Sequence, residues 1–165
     1  MTKRIPEPFR IVFGLVRPLM PDVAIRPVIG SREIEEAHRK DERVFAATVT
    51  YQGRPNVFEV HFAKDFERLA PGFQFGITIH ELGHLVALHL HDNHEESAAD
   101  LSVLGHWGIP LEHVSRLNLQ FITSDLIDTL YRVYEQGGTL DDIQWASTMD
   151  ESSRRRLLNV DPYER

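Results

Sequence analysis

His80-Glu81-Leu82-Gly83-His84 sets two imidazoles four residues apart with a carboxylate beside the first. On a helix, residues at that spacing lie one above the other, so His80 and His84 project from one face and can grip one metal ion. Glu81 is turned about 100° from His80, given roughly 3.6 residues per turn. That direction suits a base acting on a water at the metal better than it suits a ligand. Two imidazoles and an adjacent carboxylate base are the working half of a zinc hydrolase site. In a chain with nine histidines, two can also fall four apart by coincidence, so the flanking residues must weigh in.

Downstream, His94-Glu95-Glu96-Ser97-Ala98-Ala99-Asp100 contains Glu96 and Asp100, again four apart and on one helical face. Glu96 would complete a set of two histidines and one glutamate, leaving the fourth tetrahedral position for water. Asp100 would accept the free N–H of a ligating imidazole, fixing its tautomer. His89, His91, Asp92, His94 and Glu95 also lie nearby. A straight helix carries His91 about 10 Å beyond His84 at ~1.5 Å per residue, so it ligates only if the helix ends near Leu90 and the chain folds back. A loop at His91-Asp92-Asn93 and a helix opening at the acidic Glu95-Glu96 pair suit Glu96 best.

At these residues the chain resembles the gluzincin metallopeptidases, whose signature is H-E-x-x-H followed on a second helix by E-x-x-x-D, in some branches E-x-x-A-D. Glu96-Ser97-Ala98-Ala99-Asp100 fits the last form at every fixed position. The resemblance implies that His80, His84 and Glu96 bind Zn2+, that Glu81 is the general base, and that Asp100 supports the first histidine. Only eleven residues separate His84 from Glu96, fewer than in thermolysin-like enzymes. The short spacing looks more like the compact minigluzincins, or the ImmA/IrrE regulatory proteases of bacteria and phages. The metzincin pattern would need glycine at 87 and histidine at 90, where this chain has Ala87 and Leu90. The similarity covers roughly residues 44 to 100.

The elements that must position these residues follow from periodicity. Pro71-Gly72 punctuates the chain, and Phe73 to His89 reads as one helix. Phe75, Ile79, Leu82, Val86 and His89 fall on one stripe, and Ile77, His80, His84 and Leu88 on another. Before it, Phe45, Ala47, Val49 and Tyr51 alternate with smaller or more polar residues, as do Phe58, Val60 and Phe62. Gln52-Gly53-Arg54-Pro55 joins the two runs as a hairpin. Val23 to Ile29 reads as a further short strand interrupted by Pro27, Ser31 to Asp41 as a charged surface helix, and Phe9 to Met20 as an amphipathic helix. Beyond residue 110, helical spacing recurs, with Thr123 or Ser124 capping a helix whose apolar face is Ile122, Leu126, Leu130 and Val133.

These elements give an α+β fold, a small antiparallel or mixed sheet with the H-E-x-x-H helix and a helical C-terminal third, and the resemblance implies that it is zincin-like, with the sheet over that helix. In such folds an edge strand can pair with an extended peptide, because it presents unpaired N–H and C=O groups. Residues 1–165 suit one domain, with sheet and metal helices over about 21–105 and helices over about 110–160. Apolar residues are 42% and charged residues 26%, as in ordinary globular proteins. A net charge of −7 argues against a nucleic-acid partner. The absence of cysteine excludes disulfides and thiolate-bound zinc and fits a cytoplasmic location. Near the N-terminus, Arg10 and Arg17 interrupt the apolar run, unlike a signal peptide. No run approaches the roughly eighteen apolar residues of a membrane span.

The chemistry expected is peptide-bond hydrolysis of a peptide or protein substrate, with Tyr131, Tyr134, His106, His113 or Arg116 as oxyanion donor. The alternative is a zincin-fold binding or regulatory protein that keeps the metal with little or no turnover. Intact Glu81 speaks against that alternative, since a purely structural metal needs no base.

Overall fold

Alternating side chains over Arg54–Phe62 build the central strand of a three-stranded sheet in a computed structural model of the protein, which describes residues 5–92, 124–139 and 142. The strands are β1 (Ala24–Ile29), β2 (Ala46–Tyr51) and β3 (Arg54–Phe62), in the order β1-β3-β2. β2 turns back into β3 through Gln52-Gly53, where Gly53 adopts φ +77, a left-handed conformation that glycine takes without steric penalty. The hairpin is antiparallel, while β1 runs parallel to β3, so the sheet is mixed. A parallel neighbour needs a crossover, and the chain from β1 to β2 passes over β3 carrying α2 (Arg32–Lys40).

Pro27 fits because β1 is an edge. The Gly30 N–H donates to the Phe62 carbonyl at 2.8 Å, which puts even-numbered residues of β1 in the ladder with β3. The N–H that proline lacks therefore lies on the open side.

The core lies between one face of this sheet and three helices: α1 (Glu7–Val16), α3 (Pro71–His91) and α4 (Ser124–Glu135). From β3, Phe58, Val60 and Phe62 face inward and are buried, as their alternation predicts. Phe62 is fully buried, which stabilises the fold by roughly 1.5–3 kcal/mol relative to exposure. Along α1 the inward face includes Ile11 and Leu15 as well as Phe9, Val12 and Val16. The helix stops at Val16 and tightens into a 3-10 turn over Arg17–Leu19, because Pro18 cannot continue the ladder. Leu130 and Val133 of α4 are buried against this core. Gly14 allows α4 to approach α1, since any Cβ there would collide with the Tyr134 ring.

Register pairs Ala46 with Phe62 and Thr48 with Val60, so Ala46 and Thr48 face the core while Ala47 and Val49 face the other way. Glu59 and His61 on that second face are themselves buried, with Ser31 at the start of α2 against His61, so apolar alternation along β2 does not by itself reveal which face meets α3. Among the described residues, no helix is long and apolar enough to cross a membrane.

Candidate metal centre

The metal-helix reading depends first on whether α3 holds its side chains still. Pro71 occupies its first turn, where a missing N–H does no harm. Phe75, Ile79, Leu82, Leu85 and Val86 are all buried, locking the helix against the core. Its end is defined by Asp92, whose φ of 47 and ψ of 44 are left-handed and whose N–H donates to the Leu88 carbonyl at 3.0 Å. The helix thus runs two residues past the expected end at His89 and stops at His91, with Asp92 as its cap.

On the half-buried stripe, the Nε2 atoms of His80 and His84 approach to 3.2 Å, with ring centroids 4.6 Å apart and planes 79° apart. Two imidazole nitrogens, each about 2.0–2.1 Å from a tetrahedral zinc, stand about 3.3–3.4 Å from one another. The pair therefore fits a shared ion. Glu81 brings a carboxylate to the same place: candidate ligand atoms of His80, Glu81 and His84 all lie within 4.8 Å of one another. This group can bind a metal ion.

Glu81 is 9% exposed and is held from the sheet. Thr48 Oγ1, on β2, lies 2.8 Å from Glu81 Oε2 and 2.9 Å from the Glu81 carbonyl oxygen. A hydroxyl carries one proton, and an ionised carboxylate is the stronger acceptor, so the hydrogen bond runs from Thr48 to the side chain.

The expected third ligand Glu96 and its supporting Asp100 lie outside the described residues, as do His94, Glu95, His106, His113 and Arg116. Tyr131 and Tyr134 are described, and both are engaged where α4 meets α1. Tyr131 packs edge-on against Phe75 at 5.8 Å, and its hydroxyl pKa is raised by burial and by nearby Glu7. The Tyr134 hydroxyl accepts from Arg10 at 3.3 Å.

A second cluster, unforeseen from sequence, occupies the opposite face of the sheet. Glu59 and His61 are 4% and 8% exposed. The Glu59 carboxylate accepts from the Tyr51 hydroxyl and from Arg26, whose Nε is 3.0 Å away. His61 Nε2 lies 3.1 Å from Glu59 Oε1, and His61 Nδ1 lies 2.6 Å from Ser31 Oγ. Ser31 caps α2, accepting from the Ile34 N–H at 3.3 Å. Hydrogen bonding from Tyr51 above all, then from Arg26 and His61, outweighs burial and holds the Glu59 carboxyl at a pKa of about 2. A signal for it was present: Glu59 and His61 alternate with Phe58, Val60 and Phe62, placing two polar residues together on one strand face.

Comparisons with protein-family models, with curated proteins and with solved structures each gave no match.

Proposed function

We propose that the protein is a small zinc-dependent metallopeptidase with a zincin-like fold, in keeping with its resemblance to the gluzincins. The observation that carries this reading is the meeting of His80 and His84 Nε2 at 3.2 Å beside a carboxylate that the sheet holds in place. In this reading His80, His84 and Glu96 hold the ion, and Asp100 accepts the remaining ring N–H of a ligating histidine. Zinc so held supplies Lewis acidity and lowers the pKa of water toward neutrality. The carboxylate of Glu81 takes the proton from the attacking water and delivers it to the departing amine as the peptide bond breaks.

The sheet supports a peptide as substrate. The Ala63 N–H donates to the Phe45 carbonyl at 2.8 Å, which marks that pair as hydrogen-bonded across the hairpin. Alternation then makes Thr48–Val60 a pair without mutual hydrogen bonds, so the Thr48 N–H and C=O face the side of β2 away from β3. Among the described residues no strand lies on that side. An extended chain can add there as a further strand, beside the residue whose hydroxyl contacts Glu81.

The test compares wild type with Glu81→Gln, both loaded with zinc, on a broad peptide library. Cleavage by wild type, reduced about 10²–10⁴-fold in the variant at equal zinc content, is the expected result. Equal cleavage by both proteins would remove Glu81 as the base.

A further inference from the structure

The edge strand does more than offer backbone groups. Thr48 is the residue of β2 whose main chain faces the open edge and whose side chain reaches across to Glu81, 33 residues later in the chain. We infer that Thr48 is a positioning residue for the Glu81 carboxylate, tying the place of the base to the strand along which a peptide would lie. This rests on the peptidase reading above and deepens it.

Geometry supports the role in three respects. The contact has an ordinary O–H···O length, 2.8 Å, and its acceptor is a carboxylate, so an ionised Glu81 makes it charge-assisted. Glu81 has rotatable side-chain bonds that the helix backbone does not fix, and a hydroxyl from a neighbouring element selects one arrangement. Threonine is itself stiff at χ1, and its place on β2 is set by pairing with β3, so the donor is not free to wander. The Glu81 carbonyl, 2.9 Å from the same hydroxyl, adds a second acceptor.

The structural alternative is that Thr48 merely satisfies a half-buried polar contact between β2 and α3. The two roles separate in Thr48→Val, which keeps the branched shape and removes the donor, and in Thr48→Ser, which restores it. Two measurements are made on full-length, zinc-loaded protein. The first is the side-chain carboxyl resonance of Glu81 in protein labelled with ¹³C-glutamate, assigned by its loss in Glu81→Gln. The second is peptide cleavage, resolved into kcat and KM at equal zinc content.

The expected result is a displaced Glu81 resonance in Thr48→Val, with kcat down about 10–100-fold and KM within about twofold, as when the partner that orients a catalytic group is lost. Thr48→Ser should recover most of both. An unmoved resonance in Thr48→Val overturns the inference whether or not the protein is a peptidase. A displaced resonance with unchanged kcat overturns it too. If wild type cleaves nothing while the resonance moves and serine restores it, Thr48 still positions Glu81, and the peptidase reading alone has failed.

Discussion

Among the described residues, glutamate and histidine are combined twice, once on each face of the same sheet, with opposite outcomes. On the α2 face, Glu59 and His61 stand two apart on a strand and join a continuous chain of polar contacts from Arg26 and Tyr51 through to Ser31. On the α3 face, His80 and His84 stand four apart on a helix and aim two ring nitrogens at one point, with Glu81 alongside. In the strand cluster each polar group is directed at another within the protein, and the product is a stable anion and a fastened α2. In the helix cluster two ring nitrogens and a carboxylate come within 4.8 Å of one another, a grouping that can hold one metal ion. The residue types are the same. Their direction decides whether they build structure or a site.

That contrast can be broken most decisively at the helix. His84→Ala should abolish zinc uptake, whereas Glu59→Gln should leave it intact. At free zinc about a hundredfold above the dissociation constant, wild type and Glu59→Gln should gain about 2.7 kcal/mol of stability and His84→Ala none. Thermal melts with and without zinc measure this, and an equal zinc-induced shift in all three proteins would erase the distinction.

The next effect belongs to the strand cluster. Glu59→Gln should destabilise the protein at neutral pH by about 1.5–3 kcal/mol, the range for hydrogen bonds to a charged group. Because the folded pKa of about 2 lies below the ordinary carboxyl value of 4.5, ionised Glu59 contributes stability that is complete above pH 4.5. That contribution is lost as pH falls toward 2. Urea unfolding across this window should show a steeper acid loss in wild type than in Glu59→Gln, and parallel curves would show that Glu59 is not held ionised by its partners.

A smaller change sharpens the same point. Tyr51 is 43% exposed, yet its hydroxyl is the foremost cause of the low Glu59 pKa. Tyr51→Phe should cost about 0.5–1.5 kcal/mol at neutral pH and move the acid loss upward toward pH 4.5. An unchanged acid limb would assign the shift to Arg26 and His61 instead.

Much of the scaffold was legible because it is local. The stripe of Phe75, Ile79, Leu82 and Val86 announced α3, and alternation through Phe58, Val60 and Phe62 announced the inward face of β3. Gly53 marked the hairpin, and Pro71-Gly72 the break before α3, although the helix begins at Pro71 itself and not at Phe73. Alternation through Ala47 and Val49 announced β2 but not which of its faces meets α3; pairing with β3 turns Thr48 that way. Glu59 and His61 were overlooked because a polar pair on a strand ordinarily faces water; here Tyr51 and Arg26 close over Glu59, and Ser31 meets His61.

His80, Glu81 and His84 were brought together by the sequence itself, since a helix places residues four apart on one face wherever it forms. The same local rules set the hairpin and the ends of α3. The order β1-β3-β2, the parallel pairing of β1, the approach of Thr48 to Glu81 and the meeting of Arg26, Tyr51 and Ser31 around Glu59 and His61 belong to the tertiary structure alone. Each joins residues far apart in the chain, and no periodicity records which of many possible registers and crossovers will bury the most apolar surface while leaving polar groups paired.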